Sequence, residues 1–171
     1  MKKIFSMLVL SLSVLLMASG SAAGQSEGHE DNHTHGEHNH EVGVSFGVTH
    51  LEHDNEFAPI VHLHYSKRLA HESFMKHFGI GLGLEVIIFE EMHYNVMGVF
   101  NIYPSGGFEI SLSPGILFVE GEEEFTSAFA FHVEMGYAFD LDFIEIGPVI
   151  GASFSGDDEH YSIGVHIGKG F

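Results

Sequence analysis

The feature that most restricts this chain is a two-residue alternation in which one face is bulky and apolar while the other is small. In HFGIGLGLEVIIF, Phe78, Ile80, Leu82, Leu84, Val86 and Ile88 share one face, and Gly79, Gly81, Gly83 and Glu85 share the other. Later runs repeat it. Phe108, Ile110, Leu112, Ile116 and Phe118 oppose Glu109, Ser111, Ser113 and Gly115, and Phe129, Phe131, Val133, Met135 and Tyr137 oppose Ala130, His132, Glu134 and Gly136. Ile144, Ile146 and Ile150 then face away from Glu145, Gly147 and Gly151, as Tyr161, Ile163, Val165 and Ile167 do from Ser162, Gly164, His166 and Gly168. A sustained period of two marks strands rather than helices. Eight such runs succeed one another, at 41–50, 58–69, 77–89, 92–103, 107–119, 125–139, 143–154 and 159–171.

Alternation alone also suits a soluble sandwich or a lipocalin-like barrel. The sizes of the two faces decide between them. A soluble core built from Gly, Ala and Ser would bury almost no hydrocarbon, whereas a narrow barrel in lipid needs small or polar groups within and large apolar groups without. The expected fold is therefore all-β, an eight-stranded antiparallel up-and-down transmembrane β-barrel over residues 41–171. Tyr94 and Tyr161 fall at one end of the lipid face and Tyr65 and Tyr137 at the other, as an interfacial belt requires. Pro114 and Pro148, on the bulky face, are expected to mark local bulges.

The chain opens with Lys2 and Lys3, then IFSMLVLSLSVLLM and ASGSAAG, the order of a secretory signal peptide, assigned to residues 1–23. Residues 24–40 form a second region that contains HEDNHTHGEHNH. Such a composition cannot bury apolar surface and is expected to be disordered. It carries His29, His33, His35, His38 and His40. The last four form two His-x-His pairs that project to one side of an extended backbone. Imidazole is the commonest transition-metal ligand, and Glu30, Asp31, Glu37 and Glu41 could complete a site. Without thiolates the preference runs to Zn2+, with Cu2+ or Ni2+ as alternatives. The metal is a ligand here; no cofactor is expected to be required.

Charge narrows the partners further. Asp and Glu number 24 against 6 Lys and Arg, and there is no Cys. Nucleic acid is excluded as a partner, since phosphate binding needs Lys and Arg clusters. Disulfides and a lipid-modified cysteine are excluded as well.

The signal peptide, the eight alternating runs and the terminal YSIGVHIGKGF, with Phe171 last, resemble the small eight-stranded bacterial outer-membrane barrels of the OmpA and OmpX type. The resemblance implies an outer-membrane location, surrounding lipid and both termini in the periplasm. It also implies recognition of Phe171, with Tyr161, Ile163, Val165 and Ile167, by the barrel-assembly machinery. A monomer is expected. Lys169 departs from the pattern, because it falls on the lipid face and would have to snorkel.

With periplasmic termini the outer connections become 51–57, 90–91, 120–124 and 155–159, all acidic. His53 lies within the first of them, and His50, His93 and His160 flank them. Carboxylates edged by imidazoles would concentrate divalent cations; a plain solvated rim that takes up Ca2+ or Mg2+ is the alternative. Parity places Glu85, Glu109, Glu134 and Glu145 in the bore with His62, His64, His132 and His166, with only Arg68 able to reach in. These groups are expected to form a hydrogen-bonded network rather than a metal site.

The function expected is that of an outer-membrane barrel, not an enzyme, that binds or handles a divalent transition metal, zinc foremost. One alternative is a structural or surface-interaction barrel with no metal role, although its outer loops are short. A lipid-modifying enzyme is less well supported, because Ser153 and Ser155 near His160 are its only candidates and no orienting group accompanies them.

Overall fold

The computed structural model describes residues 38–171 apart from 53–54, 122–124 and 157. The expected signal peptide, most of the expected tail with His29, His33 and His35, and the loop residue His53 lie outside the described residues. The strands are β1 (His40–Leu51), β2 (Glu56–Arg68), β3 (Phe78–Ile87), β4 (Met92–Ile102) and β5 (Phe108–Glu120), followed by β6 (Phe125–Tyr137), β7 (Phe139–Asp140), β8 (Glu145–Ser155) and β9 (Asp158–Gly170). Each long strand pairs antiparallel with the next, and β1 pairs with β9, so the sheet closes on itself.

The two-residue β7 prolongs β6. Its pair Phe139–Ile146 keeps the register that Gly136–Val149 sets, and the ladder lapses at Tyr137 and Ala138, opposite Pro148, whose ring has no N–H to donate, and Gly147. Eight strands therefore wall the barrel. Neither proline produces the expected bulge: register runs unbroken through Pro114–Phe131 and Pro148–Val165. Each ring removes ladder bonds without inserting a residue.

Followed once around the wall, the pairs His40–Lys67–Ile80–Phe100–Leu112–Val133–Ala152–Tyr161–His50 return to β1 ten residues further on. That stagger tilts the strands and leaves a bore only wide enough for side chains. The long strands span 10 to 13 residues, matching the roughly 9–11 that a tilted strand needs to cross a bilayer.

The bulky face points out. Leu82 is 68% exposed, Ile163 66% and Phe129 66%, whereas Thr49, Glu85, Asn95, Asn101 and Ser113 are buried on the inner face. A wall this apolar on its outer face is what contact with lipid requires. Lys169 is exposed on the outer face of β9, as its parity requires.

Candidate functional site

The bore has three zones. At the end away from the termini, Leu51, Ala58, Ile60 and Ile87 pack with Phe89 into an apolar cluster. Met97 and Leu117 are buried at neighbouring inward positions. The inward positions of β1, β2 and β3 change there from polar to aliphatic, and buried His93 and His160 share this end, paired opposite Ile87 and Leu51.

The middle is polar. His132 Nδ1 lies 2.8 Å from Glu85 Oε2, and His62 Nδ1 lies 3.5 Å from Glu134 Oε2. His132 Nε2 is a further 4.0 Å from Glu134 Oε2. The His62 ring lies 5.7 Å from His132 and 5.5 Å from His64, so imidazoles of β2 and β6 form a continuous band.

Next to it, nearer the termini, Glu41 of β1 meets His64 of β2 and His166 of β9. Glu41 Oε1 is 3.3 Å from His166 Nε2 and 3.6 Å from His64 Nε2, and the two rings stack 5.2 Å apart. All three ligand atoms are shielded from solvent, and none completes a hydrogen bond.

At the termini end lies a cavity of about 320 Å³, lined by Glu41, Arg68, His77, Tyr103, Glu109 and Glu145 among others. Asn101 Nδ2 donates to the Tyr103 hydroxyl at 3.0 Å, and Ser111 Oγ donates to Asn101 Oδ1 at 2.8 Å. Arg68 does reach in: its guanidinium carbon sits 3.8 Å from the centre of the Tyr103 ring, a cation–π contact. Carboxylates in the bore include Glu41, Glu85, Glu109, Glu134 and Glu145, with Arg68 and the buried histidines His62, His64, His93, His132, His160 and His166 as counter-groups. A bore this acidic needs cationic compensation, from protonated imidazole or from an ion.

Small eight-stranded barrels of known structure share this architecture. Neisserial surface protein A superposes with a TM-score of 0.54 at 4% identity, over 77% of this chain and 96% of its own. Ail, the attachment invasion locus protein of Yersinia pestis, gives 0.51 at 12% identity, over 77% of this chain and 97% of its own. The fold is that of the small outer-membrane barrels. A designed transmembrane β-barrel matches equally well, at 0.51 and 12% identity over 75% of this chain and 94% of its own. No protein-family model matches the sequence, and no curated protein aligns with it significantly.

Several residues expected at one place stand at another. His40 is not part of a free tail: it opens β1, its Nδ1 is 2.7 Å from the Tyr65 hydroxyl, and its ring stacks on Phe171 at 5.6 Å. His38 is exposed just before it. Glu41, expected at the start of the first strand as a possible supplementary ligand to the tail histidines, points into the bore. His93 and His160 are buried with their rings 5.7 Å apart, so they face inward and do not edge the rim. The rim keeps His50, whose Nε2 lies 3.3 Å from Asn55 Oδ1, with exposed Glu52, Glu56, Glu90 and Glu91 around the far end. Ser153 and Ser155 are buried in the bore, away from the lipid face where an acyl-processing enzyme would need its nucleophile.

Proposed function

We propose that the protein resides in the bacterial outer membrane with its termini in the periplasm, where it binds a divalent transition-metal ion, zinc first and copper or nickel next. The observation that carries this reading is the position of the tail's anchor. His38, Asn39 and His40 line the termini-end mouth of the bore together with Glu41, Arg68 and Glu145, so a histidine-rich segment emerges beside an acidic, imidazole-lined channel. Imidazole with carboxylate suits Zn2+, Cu2+ and Ni2+. The side chains that fill the far end of so narrow a bore favour capture and holding on the periplasmic side over free passage outward.

A surface-interaction barrel is the competing reading. Ail is described in complex with a heparin analogue, sucrose octasulfate. Here the far-end connections carry Glu52, Glu56, Glu90, Glu91, Glu120 and Glu159, which would repel a polyanion and leave a cationic partner as the better match.

The test is a calorimetric Zn2+ titration of the mature chain in detergent. Micromolar binding of more than one ion per chain is expected, with most of that capacity lost when His29, His33, His35 and His38 become Ala. A chain that takes up no Zn2+ overturns the proposal.

A further inference from the structure

We infer that Glu41, His64 and His166 form a discrete three-ligand transition-metal site inside the barrel, separate from the histidine tail. The inference rests on the metal-binding reading above and names a second locus for it.

The donor set is two imidazole nitrogens and one carboxylate oxygen, with ligand atoms all within 4.8 Å of one another. Ligands on a tetrahedron with bonds of about 2.1 Å stand roughly 3.4 Å apart. The spacings of 3.3 and 3.6 Å from Glu41 Oε1 to the two Nε2 atoms bracket that value. The pair Glu85–His132, by contrast, closes to 2.8 Å and leaves no room for an ion between its partners.

Backbone design makes the space. Gly43 and Gly168 lie opposite each other on β1 and β9, and Gly43 lies opposite His64 on β2. A methyl group at Gly43 would collide with both imidazoles, and one at Gly168 would stand 2.7 Å from His166 Nε2 and 2.9 Å from Glu41 Oε1. Two glycines therefore keep open the volume on which the three ligand atoms converge.

The outer shell is suitable too. His166 Nδ1 lies 3.3 Å from Ser45 Oγ. A proton on Nδ1 donated to that hydroxyl leaves the Nε2 lone pair facing Glu41, so that two acceptors point at one another, as they do around a metal. Glu109 lines a small cavity with His64 and His166. Access is from the 320 Å³ cavity, which Glu41 and Glu109 both line.

The probe is Co2+, then Cu2+, added to the folded mature chain in detergent, with folding verified by heat-modifiable gel mobility. The variant in which His29, His33, His35 and His38 are Ala should keep one equivalent, with the visible absorption of four-coordinate Co2+ and pulsed-EPR couplings to two imidazoles on Cu2+. His64→Gln, His166→Gln or Glu41→Gln in that background should weaken this equivalent by about 100-fold, and Ser45→Ala by about 10-fold. The inference is overturned if the tail variant binds no metal, or binds it through fewer than two imidazoles. That measurement needs no bore variant to fold. Loss of all binding with the tail would remove this site and leave the proposed function standing, whereas a wild-type chain that binds nothing would remove both.

Discussion

Replacing His132 by Leu is expected to destabilise the barrel more than replacing its partner Glu85 by Met, and the double replacement less than the two effects added. The side chains of His132 and Glu85 are 3% and 2% exposed, and their contact is 2.8 Å. Removing His132 strands the Glu85 carboxylate in the bore and takes the second imidazole from Glu134, 4.0 Å away. Breaking a buried pair this way costs about 3–5 kcal/mol. Removing Glu85 leaves an imidazole that can stay neutral, so the loss is nearer the roughly 1–3 kcal/mol of an unsatisfied polar group. Replacing both with hydrocarbon of similar volume restores packing and should fall within about 1 kcal/mol of the parent. The assay is urea unfolding in lipid vesicles. With a slope of about 2 kcal/mol per molar, the His132→Leu midpoint should drop by roughly 2 M. Single effects under about 1 kcal/mol that simply add would refute the claim that these groups form a coupled, desolvated network.

Leu82→Arg, on the lipid face of β3, should cost about 2–4 kcal/mol in the same unfolding assay if the residue lies near the bilayer midplane. Gly43→Ala should lower Zn2+ affinity in the tail-substituted chain, because the added methyl occupies the space between His64 and His166; unchanged affinity would place the ion elsewhere. Deleting Phe171 removes its stacking on His40 and the reciprocal backbone bonds of 3.1 and 2.9 Å that close the seam. Assembly in cells should fall further than refolding in detergent if Phe171 is also read by the assembly machinery; equal losses would confine its role to the seam.

The strands and their facing were legible because the contrast between the two faces is extreme. Gly79, Gly81 and Gly83 against Ile80, Leu82 and Leu84 admit one orientation in lipid, and the strand ends lie within two residues of the alternating runs. His93 and His160 were also legible in principle, since they share parity with buried Asn95 and His166. Their neighbourhood with acidic loops drew them to the rim instead. Glu41 was placed at the start of the first strand yet counted among the tail's possible ligands, because the polar composition of the tail continues into β1. Parity with Ser45 and Thr49 puts it inside. The meeting of Glu41, His64 and His166 could not be read at all, because it depends on the ten-residue stagger of the closed sheet. Alternation specifies which face a residue takes, and register decides which residues of that face become neighbours.

The arrangement of the bore depends on which face of each strand meets lipid, and a chain without native Trp allows a direct measurement. Single tryptophans at Leu82, Phe129 and Ile163, in vesicles of lipids brominated on their acyl chains, should be strongly quenched, while Tyr103→Trp should not. Quenching at position 103 with none at 82, 129 and 163 would contradict the account.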